Sequence, residues 1–299
     1  MNVELLRHAF PVPGRTASLA ASTEQTGWDG LLVADSQHLV GDPYVELALA
    51  ATTTTRLRLG TAVTNFVTRD PAVTASSILT VHAESAGRAI LGVARGDSAI
   101  AFLGRKPTPL DDYRVTLDRV RAYLDGKSVE RNGYSAAITW PAPLGLPKVP
   151  LDLHATGRRT IQVAAVLADR ITFAVGAQPA WLRWAIDTAR AARDQAGLDP
   201  DGLQLGAFLM SAVADDPATA AALVRANVSI FAHIAGQAHT IPGVVPDTER
   251  GVIDQVVQHY VEAQHGSNAA RAATLLPTSF VEWFAVTAPR NKSSTGSRT

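Results

Sequence analysis

Three short segments carry residue types that could do chemistry. Asp35 follows the apolar run at residues 30–34. A carboxylate at the end of a buried strand is hard to explain as packing, and in a barrel the C-terminal strand ends converge on the active site. It reads as a ligand-facing group, with a helix cap or loop carboxylate as the alternative. Gly96-Asp97-Ser98 follows the run at 88–94, where Gly allows close approach and Asp and Ser supply an acceptor and a donor. It reads as a cofactor or substrate rim, a helix-capping turn, or both. Thr156-Gly157-Arg158-Arg159-Thr160 follows the run at 151–155 and opens a helical stretch. Backbone N–H groups at a helix start, one Gly and two arginines suit a phosphate; surface arginines on an ordinary turn are the bland reading.

Other chemistries find little support. The chain has no cysteine, which removes disulfides and thiolate nucleophiles. Its eight histidines form no H-E-x-x-H pattern, so no metal is expected. No G-x-S-x-G elbow occurs either. His8 and His154 lie in strand-like runs, where they face either a substrate or the core. Lys and Arg together number 27, as do Asp and Glu, so no excess basic field invites nucleic acid or an anionic membrane. A small-molecule partner and a cytoplasmic location are expected. No leader-like N-terminal segment is seen, and no window reaches the roughly 20 apolar residues of a bilayer span.

The elements that must position these residues alternate. Short apolar runs at 3–10, 30–34, 57–63, 88–94, 151–155, 170–175 and 203–213 read as strands. Helical periods fill 17–25, 43–52, 71–84, 110–124, 160–167 and 180–196, several opened by Asp-Pro. This βα alternation predicts a parallel sheet in a barrel or a doubly wound fold. The Gly- and Pro-rich stretch 125–150 reads as an excursion, with Trp140 to Pro143 extended, and 215–278 as a helical cap broken near Gly236 and Pro242. Trp181 and Trp184, with Leu182 and Ile186, read as one helix face against the barrel wall. The charged and polar end at 290–299 reads as a disordered tail, which leaves 1–289 as one domain.

Five segments in order resemble the luciferase-like flavin and deazaflavin oxidoreductases, and among them the relatives of methylene-tetrahydromethanopterin reductase. They are Gly27 to Asp35, Arg56 to Thr64 with Thr68-Arg69-Asp70-Pro71, Gly87 to Ser98, Leu103 to Pro107, and Ala155 to Ile161. The resemblance implies an α/β TIM-type (β/α)8 barrel with a helical insertion, and a hydride transfer between the deazaflavin coenzyme F-420 and an organic substrate. FMN, supporting monooxygenation, is the alternative, and a non-catalytic or truncated barrel is another.

It further implies that Asp35 and Asp97 are the catalytic candidates. Asp35, Ala62, Val63, Thr64, Gly96, Asp97 and Ser98 would meet the ring, with a cis bond at Ala62-Val63. Thr156, Gly157, Arg158 and Arg159 would bind the cofactor at the phosphate turn, and the coenzyme's acidic tail suits Arg105, Lys106, Arg158 and Arg159. Several F-420 enzymes carry His directly after the aspartate, where this chain has Ser36. A homodimer is expected, and the segment 280–286 followed only by a short tail suggests that the last βα unit is missing.

Overall fold

The computed structural model describes residues 3–237 and 243–289. It divides into two compact units, residues 1–154 with 163–171, and residues 155–162 with 172–299. The expected tail at 290–299, the break at Pro242 and His239 lie outside the described residues.

The first unit opens with β1 (Leu6–Ala9), α1 (Thr16–Gln25), β2 (Gly30–Val33), α2 (Pro43–Thr52), β3 (Arg58–Thr61), α3 (Pro71–Glu84) and β4 (Ala89–Val93). It continues with α4 (Ser98–Ala101), α5 (Leu110–Leu124), β5 (Val129–Arg131), β6 (Tyr134–Ala136) and β7 (Leu151–Ala155). The strands β1, β2, β3, β4 and β7 pair in that order, all parallel. The register sets Leu32 beside Gly60 and Gly60 beside Ile90. Every residue of β2 and β4 is buried, as continuous apolar runs in a parallel sheet require.

Local chemistry fixes where helices start. Asp42 accepts hydrogen bonds from Tyr44 N and Val45 N at the head of α2, and Asp70 accepts one from Ala72 N at the head of α3. Each is followed by Pro in the first turn, where the missing N–H costs nothing. At the opposite end of the strands, Glu4 bridges Arg58 and Arg170, both at 2.7 Å, and Arg170 lies 3.6 Å from the fully buried Asp152.

Two glycines are required by close approach. A Cβ at Gly60 would sit 2.3 Å from the Ile90 carbonyl oxygen, and one at Gly92 only 1.9 Å from that of Thr61. Only a residue without a side chain lets β3 and β4 meet there.

The excursion after α5 is a β5–β6 antiparallel hairpin followed by a 3-10 turn at Ala142–Leu144. The expected extended chain from Trp140 to Pro143 is therefore replaced by turn and 3-10 structure, because the fixed φ of Pro141 and Pro143 also suits a tight turn.

The chain passes between the units within α6 (Arg158–Leu167) and β8 (Arg170–Phe173). The second unit adds α7 (Pro179–Gln195), β9 (Gln204–Ala207), β10 (Ser211–Ala214) and α8 (Pro217–Gln237), then α9 (Asp247–His259), α10 (Arg271–Thr274), α11 (Thr278–Phe284) and β11 (Val286–Pro289). The expected single strand at 203–213 is two. Phe208 N donates to the Phe173 carbonyl, and the Phe208 ring stacks on Phe231 at 4.7 Å. Beyond that break β10 pairs in parallel with β11. Residues 280–286 thus form the end of a helix and the start of a strand.

Trp181 is buried and packs against Trp283 and Phe284 of α11. The rest of that face is small, with Ala185, Thr188 and Ala189 buried and Leu182 and Ile186 only half so. Helix α8 corrects the reading that no segment is apolar enough to span a bilayer: its 21 residues pass by length and composition. More than half of that stretch is buried, and α8 packs on α9, α10, α11 and β10, as a core helix does.

Candidate functional site

The ends of β2, β3 and β4 bring the first-unit candidates together. The Ala62-Val63 bond is cis, as expected. Leu32, Ala62 and Ile90 form a buried apolar cluster, with Leu6 and Val63 packed against it. Thr64 is clamped by its backbone, N to the Gly92 carbonyl and its own carbonyl to Ala94 N, both 3.0 Å. That places the Thr64 hydroxyl to donate to Asp35 Oδ2 at 2.7 Å in a buried setting. Ser36, also buried, has its hydroxyl 3.5 Å from that of Ser98. Gly96 takes φ +101°, and a Cβ there would collide with Ile100. Asp97 holds the N-cap position of α4 and is half-buried.

Burial dominates the electrostatics. It pushes the Asp35 carboxyl above its usual range, opposed by the Thr64 hydroxyl and Arg69 and reinforced by Asp42. Burial likewise raises the Asp97 carboxyl against a Ser98 backbone N–H. His8, half-buried on β1, has Nε2 3.1 Å from the Ala62 carbonyl. Burial lowers its imidazole to about 4, with the nearby His154 adding to the effect. His154 on β7 is also lowered by burial, so both rings are neutral near pH 7.

The geometry adds three residues not singled out from sequence. Arg69 lies with Nε 3.8 Å from Asp35 Oδ2, bonds Asp42 through Nη2, and covers the Tyr44 ring at 5.0 Å. Tyr44 is buried, which pushes its phenol up. Arg69 stood within the Thr68-Arg69-Asp70-Pro71 segment and Asp42 within an Asp-Pro helix start. No local signal, however, joins residues 27 positions apart.

The set formed by Asp35, Thr64, Ser36 and Ser98 places a carboxylate acceptor among hydroxyls. It can accept from a ligand N–H and donate to a carbonyl, which fits a flat heterocycle edged with both.

A profile of the family described as luciferase-like monooxygenase matches residues 4–292. The chain belongs to that family. The 5,10-methylenetetrahydromethanopterin reductase of Methanolobus tindarius is 28% identical over 224 residues, 73% of this chain and 67% of that protein. The enzyme of the same name from Archaeoglobus fulgidus is 32% identical over 154 residues, 50% of this chain and 45% of the relative. The chain thus aligns with about two thirds of the first and under half of the second.

Among solved structures, the coenzyme F-420-dependent tetrahydromethanopterin reductase of Methanopyrus kandleri superposes with a TM-score of 0.74 at 20% identity, over 97% of this chain and 87% of that one. An F-420-dependent secondary alcohol dehydrogenase in complex with an F-420-acetone adduct gives 0.70 at 16%, over 96% and 86%. These likenesses show the fold, the α/β TIM-barrel class of the luciferase-like proteins.

In the second unit of this luciferase-like chain, α6 begins at Arg158, and Arg158 and Arg159 are both exposed. Gly157 closes the first turn with its carbonyl accepting from Ile161 N. The Arg158 guanidinium covers the Trp184 ring at 5.4 Å, so Trp184 seats an arginine where sequence reading gave it only a wall contact. Of the other cations, Arg105 in the first unit donates to the Val67 carbonyl at 2.9 Å, and Lys106 is exposed.

Proposed function

We propose that this protein is an oxidoreductase that uses coenzyme F-420 to exchange a hydride with an organic substrate. The carrying observation is the buried Asp35–Thr64 pair at the strand ends, with Ser36 and Ser98 beside it. A deazaflavin ring offers both N–H and C=O groups along one edge, and these suit that donor and acceptor set. When bound, the coenzyme supplies a ring carbon that accepts or gives the hydride. The protein's own residues orient and desolvate. Asp35 and Thr64 would hold the ring edge, with Ala62 and Val63 behind it, while Gly96, Asp97 and Ser98 would line its rim.

Thr156, Gly157, Arg158 and Arg159 are proposed, on their own geometry, as contacts for a phosphate, at a helix start with two exposed cations. Position 36 is Ser, which cannot act there as an imidazole acid or base. The names of the relatives, reductases and an F-420-dependent dehydrogenase, support this reading. FMN is the second reading, favoured by the family's description as monooxygenase, because a flavin carries the same ring edge. A homodimer in the cytoplasm belongs to the proposal, and light scattering that returns a monomer mass would remove the dimer.

Calorimetric titration with F-420 and, separately, with FMN tests the reading. Selective F-420 binding is expected, and Arg158→Ala combined with Arg159→Ala should weaken it without moving the unfolding midpoint. Preference for FMN would transfer the assignment to a monooxygenase, and binding of neither would sink both.

A further inference from the structure

The Asp35 carboxylate is flanked by an arginine that does not hydrogen-bond to it. Arg69 Nη2 donates instead to Asp42 Oδ2, and the guanidinium face lies over the Tyr44 ring. Asp42 is itself held, because its other oxygen accepts from Tyr44 N at 2.9 Å and Val45 N at 3.3 Å to cap α2. The guanidinium is therefore oriented by the head of α2, not by Asp35, and it stands with Nε 3.8 Å from Asp35 Oδ2. That distance is too long for a hydrogen bond and short enough for a strong field in a site where Asp35 is almost wholly buried.

We propose that Arg69, anchored by Asp42 and Tyr44, is a positioning residue that keeps Asp35 ionised and so keeps it an acceptor. The proposal rests on the reading that Asp35 faces the ligand. A buried carboxyl tends to take up a proton, and a protonated Asp35 would present a donor where the ring edge needs an acceptor. The groups that face it are Thr64 from the end of β3, Arg69 from the loop before α3, Asp42 at the N-cap of α2, and Tyr44 in that helix. Thr64 and Arg69 favour the charged form, whereas Asp42 opposes it. Holding Arg69 on Asp42 leaves its field on Asp35 without occupying the carboxylate in a direct pair. Both the Thr64 bond and the Arg69 approach fall on Oδ2.

The test is a carboxyl-carbon NMR titration of Asp35 in the full chain without cofactor, with the signal assigned through Asp35→Asn. In Arg69→Met the Asp35 midpoint should rise by about one to three pH units, the range for removing an opposite charge at this separation. Arg69→Lys should restore most of the difference. Arg69→Gln, which can still donate to Asp42 but carries no charge, should raise the midpoint by a similar amount. Because Asp42 and the α2 cap it forms are left intact, this variant decides the matter even if Arg69→Met fails to fold.

An unchanged midpoint in Arg69→Met or in Arg69→Gln would overturn the proposal. The titration needs no coenzyme. Failure of the parent protein to bind F-420 would therefore count against the functional reading, while the Asp35 shifts would stand on their own.

Discussion

Thr64→Val removes one hydroxyl from a buried carboxylate and keeps the branched shape of the side chain. The backbone bonds of residue 64 to Gly92 and Ala94 need no hydroxyl, so the ladder survives the change. What is lost is the 2.7 Å bond from Oγ1 to Asp35 Oδ2, with residue 64 fully buried and Asp35 only 7% exposed. A hydrogen bond to a charged partner contributes about 1.5–3 kcal/mol and one between neutral groups about 0.5–1.5 kcal/mol. The difference, about 1–1.5 kcal/mol, depends on the charge of Asp35 and corresponds to a rise of about one pH unit in its titration.

The sign follows from linkage. The folded-state carboxyl already sits above its ordinary value. Such a group costs stability as the pH climbs past its unfolded value, and the cost is complete above its folded value. Losing Thr64 raises the folded value further and enlarges the cost at neutral pH, while below both values only the neutral bond is missing. Urea denaturation should therefore find Thr64→Val less stable by about 1.5–3 kcal/mol near neutral pH and by about 1 kcal/mol near pH 3, below both values. Thr64→Ser should recover most of the difference. A deficit that is the same at both pH values would show that Thr64 supports packing and not the carboxylate charge.

Gly92→Ala should destabilise the fold by about 1–3 kcal/mol or more, because the new methyl meets the Thr61 backbone carbonyl and neither strand can yield cheaply. A urea midpoint equal to the parent's would contradict the close approach of β3 and β4. Arg88→Met should cost at least about 2 kcal/mol, since each buried acceptor left without its donor costs about 1–3 kcal/mol. Arg88 donates to the carbonyls of Ser85 and Leu57 at 2.7 Å and to that of Thr54 at 2.9 Å. Circular dichroism melting should show the loss, and a midpoint within a degree or so of the parent's would exclude the role.

The parts of the fold that were legible in sequence are those whose cause is local. Asp42-Pro43 and Asp70-Pro71 announce α2 and α3 because a cap and a proline act within one turn. The run at 88–94 announces β4 because a strand buried on both faces needs a nearly continuous apolar stretch, and 151–155 announces β7 through apolar residues at alternate positions, Leu151, Leu153 and Ala155. The run at 203–213 misled because nothing in it marks the break. That break comes from Phe173 and Phe231, which seize Phe208, and from β11, which takes over the pairing. The same division runs through the site. Asp35 is visible as a carboxylate at a strand end, and Thr64 follows from the resemblance. Tyr44, Asp42 and Arg69 are silent, because what makes them a unit is a loop-to-loop meeting that no short pattern encodes.

The proposed ligand role of Asp35 draws on how Arg69 is held. If Arg69 met Asp35 as it meets Asp42, Asp35 would be a satisfied ion-pair member, its lone pairs occupied and its charge neutralised within the protein. Breaking such a pair to admit a ligand would be costly. Instead the hydrogen bond goes to Asp42, which also caps a helix, and only the field reaches Asp35. Burial raises the carboxyl, and one hydroxyl and one offset cation on the same oxygen oppose that by favouring the anion. An anion held that way would accept from a ligand N–H without first giving up a hydrogen bond to Arg69. The same arrangement would serve a deazaflavin and a flavin alike, and for that reason the choice between F-420 and FMN rests on titration of the two cofactors and not on Asp35.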